Sequence, residues 1–321
     1  MTPARVRTGA GRPAARVRTG AGRPAARDRA GPATPARDRP GAVPARVARR
    51  VARTLALLLA VAAVAGCQRP PAPAPQPSAV TPSPSGSPAP ADFVLLSEVD
   101  PSIAVDIRYA TAHNFVGRPV DGYPEPLCLL TRTAAEALRR VQLAARAQGR
   151  SLRVYDCYRP QRAADDFVRW AKDPADQRTK AEFYPQVPKS KLFDEGYIGA
   201  PTSHSSGSTV DLTLEPVPAP PRATYRPGQP LVACTAPAGQ RFADGGVDMG
   251  TGFDCFDSLA HTDDPRVTGT PRQNRQLLRR LMKQNGFVNY DREWWHYRHA
   301  DDPYPETYFD FPVAVSSLRP R

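Results

Sequence analysis

Lysine is scarce in this 321-residue chain: there are five, at positions 172, 180, 189, 191 and 283. The first 66 residues hold no Lys and no Glu, yet they carry fourteen Arg against two Asp. Nearly all of the formal net charge of +13 therefore sits in that leader. The other 255 residues balance 30 basic against 29 acidic side chains, which removes overall charge as an argument for a nucleic-acid partner. Long apolar runs are missing too. Leu55 to Ala65 is too short for an ordinary transmembrane helix. No Cys-x-x-Cys pair occurs, which weighs against a four-thiolate zinc site. Histidine is limited to positions 113, 204, 261, 296 and 299.

What the leader does contain is an eleven-residue unit, ARVRTGAGRPA at 4–14, that recurs at 15–25. With almost no large apolar side chain it cannot offset its ordering entropy, and it reads as disordered. Arg46, Arg49, Arg50 and Arg53 then precede the apolar run, in the proportions of a signal peptide rather than of a buried helix. The run ends Val64-Ala65-Gly66-Cys67, which resembles a bacterial lipobox with Cys67 as the lipid acceptor. The expectation is an exported protein, anchored by lipid to the outer face of the bacterial membrane. Residues 67–91 form a Pro/Ala/Ser tract that favours extended polyproline II and reads as a tether. The folded domain is expected over 92–321.

Within that domain lie Cys128, Cys157, Cys234 and Cys255. An even number in an exported chain suggests two disulfides. Three connectivities are open; Cys128–Cys157 with Cys234–Cys255 keeps each bridge local, and loops of that size stabilise by roughly 3–4 kcal/mol each. Thr133-Ala-Ala-Glu136 has a capping-box pattern before a helix that Gly149 closes. Ser151–Tyr155 reads as a buried strand, Pro160 opens a helix to about Lys172, and TVDLTL at 209–214 alternates as a strand. Thr270-Pro271 opens a third helix with Leu277, Leu278, Leu281 and Met282 on its core face. Phe287–Tyr290 and Trp294–Tyr297 look like closing strands. Helices and strands mix without βαβ alternation, so the fold class is α+β with a small central antiparallel sheet flanked by helices.

Two histidines sit in unusual company. His204 lies in a Ser/Gly loop that enters the strand carrying Asp211, and His296 closes Glu293-Trp294-Trp295-His296. Two His and one Asp make a ligand set for zinc, one ion per chain, with a water in the fourth position. Glu293, close to a ligand but not needed as one, could take the proton of that water. Each piece alone is equally well a core histidine or a loop residue; together the His-x₆-Asp and Glu-x-x-His spacings point to a metal site.

The segments VDIRYAT and NFVGRPVDGY within 105–123, YDCYRPQRA at 155–163, SHSSGSTVDLTL at 203–214, EWWHY at 293–297 and DDPYPETYFDFPV at 301–313 resemble the D-alanyl-D-alanine dipeptidases of the VanX type. The similarity runs along most of 94–313. It implies an α+β zinc peptidase fold shared with D-Ala-D-Ala carboxypeptidases and the hedgehog signalling domain. It further implies His204, Asp211 and His296 on the metal, Glu293 as the base, and Arg159 stabilising the tetrahedral intermediate. By the same resemblance Tyr109 and Tyr123 line a small pocket, Thr202 and Ser203 bond the substrate backbone or carboxylate, and Asp254 receives the ammonium of the dipeptide. His113, His261 and His299 match no ligand position and are taken as structural.

The chain departs from that family in two ways. It carries an export leader, and its segment between Asp211 and Asp254 is longer, holding Cys234; a stapled loop there is expected to overhang the cleft. The function implied is hydrolysis of D-Ala-D-Ala in cell-wall metabolism. Two rivals stand beside it: a D,D-carboxypeptidase or endopeptidase acting on peptidoglycan stem peptides, and a metal-bearing binding module without catalysis. The binding module would need neither Glu293 nor Arg159.

Overall fold

The computed structural model describes residues 88–319. The leader, Cys67 and the tether up to residue 87 lie outside them. Along the chain run β1 (Phe93–Leu95), α1 (Leu96–Val99), β2 (Ala104–Val105), β3 (Leu129–Thr131), α2 (Arg132–Arg146), β4 (Arg150–Asp156), α3 (Gln161–Ala171), α4 (Lys180–Phe183), β5 (Thr209–Pro216), α5 (Gly269–Gln284), β6 (Phe287–Asn289) and β7 (His296–His299), with short 3₁₀ turns in some of the connections. Five strands form one sheet in the order β2-β4-β5-β7-β6, while β1 and β3 pair separately. The larger sheet is antiparallel except at its β2–β4 edge, so the α+β expectation holds with one parallel pair added.

Period-two alternation puts Val210, Leu212 and Leu214 of β5 on one face and Asp211 and Thr213 on the other. All five are buried. Helices α2 and α5 pack against the sheet and each other through Leu138, Val141, Leu278, Leu281 and Met282, all buried. The cap of α2 lies two residues before the capping-box pattern: Thr131, not Thr133, accepts from the Ala134 N–H. Thr131 also ends β3, so strand and helix share one residue, and the ladder to β1 decides which threonine caps. At the other end Gly149 turns the chain at φ +67 into β4. The closing strand β7 starts at His296 rather than Trp294, because Trp294 and Trp295 occupy the preceding turn with their rings in the core.

The folded body also begins earlier than composition suggested. Ala89 is fully buried and its N–H donates to the Ser317 carbonyl at 2.8 Å. Both expected disulfides form, Cys128–Cys157 and Cys234–Cys255.

Candidate metal and catalytic site

Cross-strand register assembles the centre of the site. Asp211 on β5 lies directly opposite His296 on β7, and opposite Asp156 on β4. Directly opposed residues share a face, so three neighbouring strands present Asp156, Asp211 and His296 side by side. The Asp156 pairing depends on a bulge. Val154 opposes Leu212, and a regular ladder would then place Tyr155 against Asp211; one extra residue in β4 brings Asp156 there instead.

His204 arrives from a 3₁₀ turn, Ser203–Ser206, capped by Thr202, whose hydroxyl accepts from the His204 N–H at 3.4 Å. Gly207 ends the turn at φ +84 against the Phe93 ring, where a Cβ would approach a ring carbon to 2.2 Å. His204 Nδ1 lies 2.7 Å from the Cys157 carbonyl. A carbonyl can only accept, so Nδ1 carries the proton and Nε2 turns an open lone pair inward.

Three donor atoms then converge. His204 Nε2 is 3.3 Å from Asp211 Oδ1, His296 Nδ1 is 3.2 Å from the same oxygen, and the two nitrogens are 3.2 Å apart. A four-coordinate ion with ligands at 2.0–2.1 Å sets its donors about 3.3 Å apart, so the triangle fits such an ion. Asp211 Oδ1 is buried with no hydrogen-bond partner, which is the state expected of an atom reserved for a cation. Burial opposes the Asp211 charge, but His204 and His296 hold its carboxyl well below the usual range.

Around this triangle stand the other groups. Glu293 Oε2 is 3.5 Å from His296 Nδ1, on a turn where the Glu293 carbonyl accepts from the His296 N–H. Trp294 anchors that turn by donating its indole N–H to Thr251 Oγ1 at 2.8 Å, and Trp295 packs edge-on to Phe253. The two tryptophans are thus core residues that aim their charged neighbours. Burial, then the charges of Asp211 and Asp254, push the Glu293 carboxyl well above its ordinary range. Arg159 is buried, donates through Nε to Asp156 Oδ2 at 2.9 Å, and lies over the Tyr109 and Phe167 rings. Its Nη2 reaches Asp211 Oδ2 at 3.4 Å.

A cleft of about 220 Å³ opens over these groups, lined by Tyr109, Phe115, Arg159, Phe167, Thr202, Ser203, Asp211, Asp254, Phe256, Glu293, Trp295 and His296, together with Tyr290 and part of 196–201. Asp254 is buried and accepts from the Tyr109 hydroxyl at 2.9 Å. It is the one non-glycine among the described residues with positive φ, +55, a conformation that aspartate tolerates better than bulky side chains. Burial first, then the Asp211 charge, raise its carboxyl well above the usual range; Arg159 and Tyr109 pull it only part of the way back. Ser203 Oγ lies 3.3 Å from His296 Nε2, the ring nitrogen turned away from the triangle.

Tyr123 stands elsewhere than expected. It does not line the cleft, and its hydroxyl donates to Asp156 Oδ1 at 2.7 Å, behind Arg159. The long segment after β5 also departs from expectation. No residue of 217–250 lines the cleft, so it does not overhang it. Its Tyr225 and Phe242 clasp the His113 ring instead, at centroid distances of 4.3 and 4.1 Å. His113 accepts from Arg108 and so donates to Glu182 at 2.9 Å. These aromatic contacts hold the segment against His113, and Cys234–Cys255 ties it to the loop bearing Asp254. Sequence reasoning passed over Asp156, although its three-residue spacing from Arg159 in YDCYRP was the available signal. It also passed over Tyr290 and 195–201, which carry no motif.

Comparison with known proteins follows this geometry. The family Peptidase_M15, described as D-ala-D-ala dipeptidase, matches residues 89–217 and 243–314, leaving out the clasping segment between them. The D-alanyl-D-alanine dipeptidase of Streptomyces coelicolor is 40% identical over 223 residues, 70% of this chain and 98% of that protein. Its counterpart from Enterococcus faecalis is 38% identical over 224 residues, 69% and 98%. The Escherichia coli protein of the same name is 28% identical over 207 residues, 64% and 83%. A solved vancomycin resistance D,D-dipeptidase, VanXYg, aligns over 67% of this chain and 68% of its own at 16% identity and a TM-score of 0.27, too slight a likeness to bear on the site.

Proposed function

The chain belongs to the M15 peptidase family of D-Ala-D-Ala dipeptidases, and we propose that it hydrolyses free D-alanyl-D-alanine with one zinc ion held by His204, Asp211 and His296. The observation that carries this reading is the triangle of donor atoms 3.2–3.3 Å apart, with a buried carboxyl and a buried guanidinium beside it. When bound, zinc supplies Lewis acidity and an acidified water. Glu293, ionised once a divalent charge stands near it, takes a proton from the attacking water and returns it to the departing nitrogen as the C–N bond breaks. Arg159, fixed by Asp156, faces the oxygen on which negative charge develops. Asp254 receives the substrate ammonium, and the hydroxyls of Thr202 and Ser203 are available to its backbone or carboxylate. Two D-alanine molecules leave.

The buried state of Asp254 favours the free dipeptide over a stem peptide. An acylated substrate brings no cation to it and forgoes a charge-assisted hydrogen bond of roughly 1.5–3 kcal/mol. Incubating the purified domain with D-Ala-D-Ala, an N-acylated D-Ala-D-Ala and a muropeptide separates the dipeptidase from a carboxypeptidase. Turnover of none of them would leave the binding-module reading. Zinc content of His204→Ala measures the ligand set: retention of one equivalent would remove His204 from it.

We further propose export and lipidation at Cys67, on the strength of the basic, apolar and small-residue pattern at 46–67. Two disulfides suit an oxidising compartment, and the setting suits turnover of D-Ala-D-Ala released from the wall. Mass spectrometry of the mature amino terminus should find a lipid-modified Cys67; a mature chain beginning elsewhere would exclude it.

A further inference from the structure

Residues 195–201 form a strap along one side of the cleft. Gly196, Tyr197, Ile198, Gly199 and Pro201 line it, while Gly199, Ala200 and Pro201 are also exposed to solvent. No helix or strand runs between Lys191 and Ser203. The backbone hydrogen bonds of this strap are local, from Glu195, Gly196, Tyr197 and Ile198 back to 191–193. Among the described residues, its polar links to the rest of the fold come from two side chains: Tyr290 Oη donates to the Gly196 carbonyl at 3.3 Å, and Arg292 Nη1 donates to the Glu195 carbonyl at 2.5 Å. They close in so tightly that a Cβ on Gly196, at φ +76, would meet Nη1 at 2.9 Å and Oη at 3.1 Å.

Both side chains belong to the turn between β6 and β7, the turn that also bears Glu293. At its other end the strap runs directly into Thr202 and His204. Its position is thereby fixed relative to the metal ligands from both sides. The cleft bounded by it measures about 220 Å³, below the roughly 300–1,000 Å³ of pockets for drug-sized ligands, a size in keeping with two small residues.

We propose that Tyr290 and Arg292 determine substrate length: by pinning the Glu195 and Gly196 carbonyls they hold the strap down, so that the cleft accepts two residues and rejects a third. This rests on the dipeptidase reading above. Both side chains are exposed, so their replacement leaves the core intact. Each latch is a single hydrogen bond, which corresponds to roughly a two- to tenfold effect.

The test compares kcat/KM for D-Ala-D-Ala and for the free tripeptide D-Ala-D-Ala-D-Ala in the wild type, Tyr290→Phe, Arg292→Ala and the double variant. The expected result is a dipeptide preference that falls about two- to tenfold in each single variant and further in the double, through a lower KM for the tripeptide. An unchanged preference in the double variant overturns the proposal. So does an equal loss on both substrates, which would assign Tyr290 to the chemistry instead. A wild type that cuts the dipeptide with no length preference removes the latch alone. A wild type that cuts neither removes the dipeptidase reading beneath it.

Discussion

His204 is oriented by a disulfide-bonded residue. Its Nδ1–H donates to the carbonyl of Cys157, and Cys157 is joined to Cys128. The bridge therefore restrains the acceptor that fixes the ring and its tautomer. Replacing both partners, Cys128→Ser with Cys157→Ser, should cost about 2–4 kcal/mol of unfolding free energy. It should also weaken metal binding, by up to the roughly 10–100-fold typical of losing an orienting partner. Competition with a chelator reads the affinity, and denaturant melts read the stability. A variant that is less stable but binds metal as tightly would confine the bridge to the fold.

Glu293→Ala is expected to keep the metal and lose roughly 10²–10⁴-fold in kcat. Its carboxyl is no part of the donor triangle, so the metal content measured alongside turnover should stay at one per chain. Loss of the metal would mean that Glu293 organises the site rather than acting in it.

Asp254→Asn should erode selectivity more than chemistry. The wild type is expected to prefer D-Ala-D-Ala over its N-acyl derivative by at least about tenfold, since only the dipeptide brings an ammonium to this buried carboxyl, and a hydrogen bond to a charged group contributes roughly 1.5–3 kcal/mol. The amide has no charge to satisfy, so the preference should shrink in the variant. A preference that survives unchanged would place ammonium recognition elsewhere.

Acid should weaken the domain through Asp166. Its carboxylate accepts from Arg118 Nη1 and Nη2, both at 2.7 Å, and from the Asp121 N–H. Burial opposes ionisation there, but the Arg118 hydrogen bonds prevail and the folded carboxyl sits below its ordinary range. A depressed carboxyl stabilises the fold fully above the unfolded pKa of about 3.9, and that contribution is lost as pH falls through the lower folded value. With Arg118 half in solvent, the effect is on the order of 1 kcal/mol. Urea melts of the wild type and Asp166→Asn should differ at pH 7, and the gap should narrow as the pH is taken below the unfolded value of about 3.9. A gap that stays constant on acidification would show that charge contributes nothing.

Much of the centre was legible because its signals are local. His204 and Asp211 are seven residues apart on one turn and strand, and Glu293 lies on the turn that leads directly into His296. Each pair could be read without knowing which strands are neighbours. Tyr123 failed that way of reading, since its contact with Asp156 crosses 33 residues and turns it from the cleft to the back of Arg159. The segment after β5 failed for the same reason: nothing in its Pro-rich stretch says that Tyr225 and Phe242 will find His113. The cap at Thr131 was missed because the end of β3, a tertiary pairing, overrides a local pattern two residues on.

The row of Asp156, Asp211 and His296 ties chemistry to the sheet itself. These groups stand on adjacent strands and are neighbours only while the ladders between β4, β5 and β7 remain zipped. Heating cannot separate these three one at a time, as it could if they sat on separate surface loops. Activity should therefore not outlast the sheet in a thermal melt.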